Sequence, residues 1–183
     1  MPIPPSLSEE DLADLDQRLA ADDAARRQTY PGPRMKRQPV HTVYVPADQF
    51  HAEVTKAWGA AASAALTRHA PRPEEMARAT GVDVDALRTV WAAVIAKLEH
   101  EPIEDLRIDL EDGYGTRSDE EEDRHAQAVG LELAAALASG TAPPFLGIRF
   151  KSLEPATRRR GLRTLDLVLR GCWTEPSCRP AGW

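Results

Sequence analysis

Three acidic side chains and one arginine stand where two predicted strands end, and these residue types can bind or convert a small organic acid. Asp109, Glu111 and Asp112 lie within the run RIDLEDGYG, and Arg149 interrupts the apolar run FLGIRF. Carboxylates exchange protons or bind cations, whereas a guanidinium group holds a carboxylate through two parallel hydrogen bonds. These four residues are therefore the candidate ligand-binding group of the chain.

Two interpretations of these side chains are open. The run LRIDLE at 106–111 alternates apolar and charged residues, so that Arg107, Asp109 and Glu111 are expected on one face of a strand. If that face is buried, its acids need cationic partners and become functional candidates; on an edge strand the face is simply solvated. Likewise, Arg149 either binds a ligand or forms an internal salt bridge to Asp109 or Glu111, and both can hold at once.

The elements that position these side chains follow from alternating strand and helix patterns. Strand patterns occur at 41–46, 106–111 and 145–150. Helical spacing predicts helices at 8–27, around 50–65, at 73–81, 83–98 and 118–140, and from Pro155 onward. The expected caps are Ser8 with Asp11, either Asp83 or Asp85, and Ser118 with Glu121, and the expected stops are Gly81 and Gly140. This alternation predicts parallel strands in an α/β fold, in which ligands bind beyond the carboxyl ends of the strands.

Composition and charge argue against several classes of protein. The 183 residues suit one domain or two small ones, and 42% are apolar, which is enough for a packed core. Twenty-nine acids against 23 bases give a formal net charge of -6, which repels nucleic acid. No apolar run approaches the ~20 residues of a spanning helix, and the N-terminus lacks a secretory signal. We therefore expect a cytoplasmic protein with no nucleic-acid partner and no membrane segment.

The common cofactor and nucleophile motifs are missing from the sequence. Gly113 and Gly115 lack the third glycine of a phosphate-binding loop, the histidines have no metal-ligand spacing, and no G-x-S-x-G motif occurs. Two charged runs, the acids at 119–123 and the bases at 158–160, are interpreted as solvated helix surface. Neither run is predicted to take part in a site.

Three motifs, taken together and in order, resemble a known superfamily. VYVPA at 43–47, RIDLEDGYG at 107–115 and GIRFKSLE at 147–154 are similar to motifs of the citrate lyase β-subunit and HpcH/HpaI aldolase superfamily. RQPVHTVYVPADQF, the DGYG ending and RGLRTLDL resemble an uncharacterised aldolase-like branch of it. The likeness covers roughly residues 28–170.

The resemblance implies a barrel of the phosphoenolpyruvate and pyruvate type that binds Mg²⁺. Such proteins break or form carbon–carbon bonds beside a keto acid or an acyl thioester, which would be the small-molecule partner here. Carried over by position, Arg149 is the residue expected to hold a substrate carboxylate or enolate oxygen. Asp109 and Glu111 are expected near the metal, Glu111 also as a catalytic group, and Asp112 as a substrate-binding group. The family's main metal ligands come from later strands that have no counterpart here.

We therefore predict an α/β fold that is a partial (β/α) TIM-type barrel at 40–170, with a helical insertion after its first strand. An N-terminal helix and a proline-rich arm are expected at 1–39, and an irregular tail at 171–183. Because a complete barrel takes ~250 residues, the chain is expected to be truncated at its C-terminus.

Three functions are compatible with this fold. The first is an aldolase- or lyase-like protein, incomplete in this form. The second is a non-catalytic chain that associates with other chains through uncovered barrel faces, in the simplest case as a homo-oligomer. The third is a small α/β binding module whose acids are structural.

Overall fold

The computed structural model describes residues 8–32 and 36–173, and the chain divides after Gln38 into two compact units. The first unit contains helix α1 (Glu9–Thr29), which confirms the predicted N-terminal helix. Ser8 and Asp11 form the predicted capping box: the Ser8 Oγ accepts from the Asp11 N–H at 3.2 Å, and the Asp11 carboxylate accepts from the Ser8 N–H at 2.8 Å. Part of the predicted proline-rich arm (33–35) and most of the predicted tail (174–183) lie outside the described residues.

The second unit contains a parallel sheet of three strands in the order β1 (Thr42–Pro46), β2 (Asp105–Asp109) and β3 (Phe145–Arg149). This arrangement confirms the predicted α/β class and the predicted parallel strands. Within the described residues, β1 and β3 each pair only with β2, so the sheet is open and a barrel is not confirmed. The register places Pro46, Asp109 and Arg149 side by side at the carboxyl ends of the strands.

Among residues 39–173, five helices connect and cover these strands. Between β1 and β2 the predicted helical insertion consists of α2, α3 and α4; α5 joins β2 to β3, and α6 follows β3. Their bounds are α2 (Val54–His69), α3 (Pro73–Thr80), α4 (Val84–His100), α5 (Asp119–Ser139) and α6 (Arg158–Cys172). Three predicted helix ends are confirmed: Asp83 caps α4, Ser118 caps α5, and α5 ends before Gly140.

Two predicted boundaries are wrong. Strand β2 ends at Asp109, so Glu111 does not share a strand face with Arg107 and Asp109. The chain turns there because the Asp109 carboxylate accepts the Glu111 N–H at 2.9 Å. Helix α6 begins at Arg158 rather than Pro155, because the N–H groups of residues 157 and 158 both donate to the Glu154 carbonyl in a preceding turn.

The two faces of the sheet differ in polarity. One face carries Val45, Leu106 and Ile108, all fully buried, and packs against apolar residues of α5 and α6 in one core. Burying each such side chain stabilises the fold by about 1.5–3 kcal/mol. The other face carries Tyr44, Arg107, Asp109 and Arg149, of which only Asp109 is fully buried. The charged face therefore positions the candidate site, and the apolar face holds the sheet in place.

None of the helices in the described part of the chain combines the length and the apolar character that crossing a membrane requires.

Candidate functional site

The centre of the site is an ion pair between neighbouring strands. Arg149 ends β3 and lies beside Asp109, which ends β2. The Arg149 Nε donates to the Asp109 Oδ1 at 2.9 Å, and the Arg149 Nη2 donates to the Oδ2 atom. The predicted proximity of the arginine and the acids is thus confirmed, and the salt-bridge interpretation holds for Asp109.

Asp109 is held by its own loop as well as by Arg149. The residue is 1% exposed, and its side chain accepts the backbone N–H groups of Glu111 at 2.9 Å and Gly113 at 2.8 Å. Burial opposes ionisation, but the hydrogen bonds from Arg149 and the two N–H groups outweigh it, so the pKa of Asp109 lies below its usual value. A Cβ atom at Gly113 would lie 2.5 Å from the Asp109 Oδ2, which explains why this close approach requires glycine.

Arg149 keeps one edge toward solvent. Its guanidinium lies over the Tyr44 ring, with the Cζ 4.9 Å from the centroid, and its side chain is 33% exposed. The Nε lies 3.7 Å from the Glu111 Oε2, and the Nη1 lies 3.4 Å from the Asp112 Oδ2. The side chain of Asp112 is 82% exposed, so a ligand carboxylate can take its place at Nη1 at little cost.

The loop that carries Glu111 and Asp112 is anchored by Tyr114, which sequence reasoning treated only as a loop residue. Tyr114 is buried in the core, and its hydroxyl lies 2.6 Å from the His125 Nδ1. The Arg117 guanidinium lies over the ring at 5.2 Å, and burial raises the pKa of the Tyr114 hydroxyl. In the sequence, the position of this aromatic residue between Gly113 and Gly115 could have indicated such an anchor.

A second arginine on the same sheet face has a similar pairing but no comparable loop. Arg107 donates to the buried Asp105 through its Nε at 3.2 Å and its Nη2 at 3.0 Å, and the Thr42 hydroxyl donates to the same carboxylate at 2.9 Å. A Cβ at Gly147 would clash with the Arg107 Nη1, so this glycine lets the guanidinium lie across β3. Arg107 is 38% exposed and provides an internal comparison for Arg149.

Another buried acid lies where α5, α6 and the end of β3 meet. Glu122 is 1% exposed; its Oε2 accepts from the Lys151 Nζ, and its Oε1 accepts from the Thr164 hydroxyl at 2.5 Å. The Arg160 Nε lies 3.0 Å from the same Oε1, although its N–H is not aimed at that oxygen. Burial opposes ionisation, but Lys151, Thr164 and Arg160 keep the pKa of Glu122 below its usual value.

This cluster corrects the prediction that both charged runs are solvated surface. The reason is that α5 packs closely on α6: a Cβ at Gly130 would lie 2.4 Å from the Val168 carbonyl oxygen. Glu122 and Arg160 lie between the packed helices and are largely covered, whereas Asp119 and Arg163 remain largely exposed.

The predicted metal site can be tested against the donors that are present. Both oxygens of Asp109 already accept hydrogen bonds, two each, from Arg149 and the loop N–H groups. Across residues 8–32 and 36–173, no group of three or more His, Cys, Asp or Glu side chains is arranged to hold a metal ion. Of the two residues predicted near the metal, only Glu111 has a loosely held carboxylate, so Asp109 and Glu111 do not form an Mg²⁺ site by themselves.

The fold and the site together define an α/β protein with a parallel sheet and an arginine–carboxylate centre at its carboxyl edge. The chain belongs to the family described as a domain of unknown function (DUF6986), which matches residues 19–182. No curated protein and no solved structure matches the chain.

Proposed function

We propose that the chain supplies the carboxylate-binding part of a lyase- or aldolase-like protein that acts beside the carbonyl group of a keto acid or an acyl thioester. The proposal rests on the motif resemblance and on one observation, the geometry of Arg149. This guanidinium is oriented by a buried acid and a tyrosine ring, and its Nη1 faces the exposed carboxylate of Asp112. A preoriented arginine with one open edge suits a ligand carboxylate or a developing enolate oxygen.

The proposed reaction assigns separate tasks to the side chains. In the cleavage direction a base takes the proton of the substrate hydroxyl, and that oxygen becomes a carbonyl as the carbon–carbon bond breaks. The electron pair of the broken bond forms an enolate, whose carbon then takes the proton back from the base. Arg149 would stabilise the enolate oxygen or the adjacent carboxylate. Glu111 has a carboxylate that is not fully hydrogen-bonded and lies 3.7 Å from the Arg149 Nε, and we assign it the proton transfer. Asp112, which lies 3.4 Å from the Nη1, would give way to the ligand.

The predicted partial barrel belongs to this proposal. A barrel interior would correspond to the charged face of the sheet, and the carboxyl ends of the strands would form the ligand side, as in known barrel enzymes. The predicted Mg²⁺ would have to draw further ligands from outside the described residues, because those present do not fit it. We therefore assign no step of the reaction to a metal.

The experiment compares Arg149 with its internal control. The full chain is titrated with pyruvate and oxaloacetate, and cleavage of hydroxy acids and acyl thioesters is assayed with and without Mg²⁺. Arg149→Gln is expected to weaken keto-acid binding about tenfold or more, since it loses a charge-assisted hydrogen bond. Arg107→Gln removes a guanidinium of similar exposure from the same sheet face and should leave binding unchanged. Equal binding by both variants, or no binding by the unaltered chain, would overturn the proposal.

A second candidate function is association without catalysis, and the open sheet favours it. Within the described residues both edge strands lack a second neighbour, and every residue of β3 is only partly buried. Unpaired strand edges of this kind promote pairing with other chains. Light scattering tests this candidate: a discrete oligomer supports it, whereas a monomer at all concentrations contradicts it.

A further inference from the structure

A cavity of about 600 Å³ lies at the amino-terminal edge of the sheet, the edge opposite to the Arg149 centre. It is bounded by α2 and by the segments 98–103 and 140–144, which lead from α4 into β2 and from α5 into β3. Its volume is within the range of about 300–1,000 Å³ that is usual for small-molecule sites. We call it the amino-edge cavity. Its apolar wall includes Gly59, Ala60, Leu98, Pro102, Ile103 and Ala142.

Helices α4 and α5 both end at this cavity and bring carbonyl groups to it. Within the described residues, the carbonyl groups at 98–100 accept no backbone N–H group. The chain after α4 contains Pro102, and the chain after α5 contains Pro143 and Pro144; proline has no N–H to donate. The negative ends of two helix dipoles therefore lie at a wall with hydrogen-bond acceptors that the backbone does not satisfy.

Thr55 adds a buried hydroxyl group to the same cavity. The residue is 7% exposed, and in the described part of the chain its hydroxyl has no hydrogen-bond partner. The hydroxyl is not fully enclosed by protein, so a ligand in the cavity can reach it. A buried hydroxyl without a partner is unfavourable, and a ligand that hydrogen-bonds to it removes that penalty. Ser63 carries a second hydroxyl two turns further along the same face of α2.

The charged side chains around the amino-edge cavity are exposed or paired. Glu101 lies 3.5 Å from the Lys97 Nζ, and Glu99 is exposed to solvent. Lys56 lies 3.7 Å from an acid three residues earlier, and His100 is exposed. Because solvent screens exposed charges, the hydroxyl group, the carbonyl groups and the apolar wall decide which ligand fits.

We propose that the amino-edge cavity binds a small organic molecule with an apolar body and one hydrogen-bond-donating end, an amine or an alcohol. The apolar wall contacts the body, and the Thr55 hydroxyl and the carbonyl groups at 98–100 accept from the donating end. The negative helix ends favour an amine over an alcohol. The inference concerns the opposite edge of the sheet and does not depend on the proposed lyase activity.

The test is a titration of the ¹⁵N-labelled full chain with benzylamine and with benzyl alcohol, followed by amide chemical shifts at constant pH and ionic strength. Sodium benzoate is the control, because it has the same ring but an end that only accepts hydrogen bonds. We expect saturable shifts at Gly59, Ile103 and Thr141 with the amine, the alcohol or both, and at least tenfold weaker binding of benzoate. Response to one donor only identifies the end group. Shifts that are absent or unsaturable, or equal affinity for benzoate, would overturn the inference.

Matched variants locate the binding. Ser63→Leu places a large side chain in the cavity and is expected to abolish the saturable shifts. Ala64→Leu adds the same side chain at the next position, which is exposed and does not line the cavity, and should change the affinity by less than about twofold. Thr55→Val keeps the shape but removes the hydroxyl, and should weaken binding about fivefold. If Ser63→Leu fails to fold, Thr55→Val decides alone. Unchanged affinity in the folded cavity variants would show that the probe binds elsewhere and would overturn the inference.

Discussion

Asp109 and Glu122 are two acids with the same exposure, 1%, yet their surroundings differ in kind. Asp109 is bound by one arginine and by two N–H groups of its own loop, and that arginine keeps an edge toward solvent. Glu122 is bound by Lys151, Thr164 and Arg160, residues that follow β3 or belong to α6.

Burial alone therefore does not mark a functional acid. The difference lies in what each acid connects. Asp109 orients a partner that can still meet a ligand, whereas Glu122 joins α5, α6 and the segment after β3 to one another. We therefore expect changes at Glu122 to act mainly on stability, and changes around Asp109 to act on ligand binding as well.

The largest expected effect is from Glu122→Gln. It leaves Lys151 and Arg160 without their shared charge at a buried position, and removing one member of a buried ion pair typically costs about 3–5 kcal/mol. Urea denaturation of the full chain measures this loss. Asp119→Asn is the control, because that exposed acid only approaches Arg160 at 3.8 Å. A loss below about 1 kcal/mol would contradict the structural role of Glu122.

Asp109→Asn is expected to have a smaller effect on the free energy of unfolding, about 1.5–3 kcal/mol, the range for hydrogen bonds to charged groups. The amide can still accept one loop N–H, and Arg149 keeps nearby acids in Glu111 and Asp112. It should also reduce keto-acid binding, because Arg149 loses its orientation. If binding fell while Arg149→Gln bound normally, this explanation would be wrong.

The stability of the protein at acidic pH should depend on the same two residues, Asp109 and Glu122. Both pKa values are lowered by folding, so each carboxylate contributes stability that is complete above its unfolded value and is lost as the pH falls through the folded value. The melting temperature should therefore fall when the pH is lowered below about 4. Each unit by which folding lowers a pKa corresponds to about 1.4 kcal/mol in the free energy of unfolding. Glu122→Gln and Asp109→Asn should each flatten this drop, and a profile unchanged in both variants would contradict the assignment.

The features of the fold and the site that could be predicted from the sequence are those that depend on neighbouring residues in the chain. The Ser8–Asp11 box and the strand patterns were predicted because they need only near neighbours. The Arg149–Asp109 contact followed from one further rule, that the carboxyl ends of parallel strands share an edge. The position of Glu111 could not be predicted, because it depends on the turn that the Asp109 side chain closes.

The burial of Glu122 and Arg160 depends on how α5 packs against α6, which no local rule supplies. A periodic signal was nevertheless present. Glu122 precedes Ala126 and Val129 at helical spacing, on the stripe that meets the core. Arg160 similarly precedes the buried Thr164 by one turn. Extending an apolar stripe backward to a charged residue would have singled out both side chains.

Tyr114→Phe is expected to have the smallest effect on stability. It tests whether the loop that wraps Asp109 can shift while the overall stability barely changes. It removes one hydroxyl that meets the His125 Nδ1 at 2.6 Å, while the ring keeps its packing and the Arg117 contact. The free energy of unfolding should fall by only about 1 kcal/mol, as for one neutral hydrogen bond. Amide shifts at Glu111 and Gly113 should nevertheless move, because the loop that wraps Asp109 is less firmly anchored. His125→Gln, which keeps a hydrogen-bonding group near the hydroxyl, should move them less; shifts confined to residues around position 125 would show that Tyr114 does not position the site.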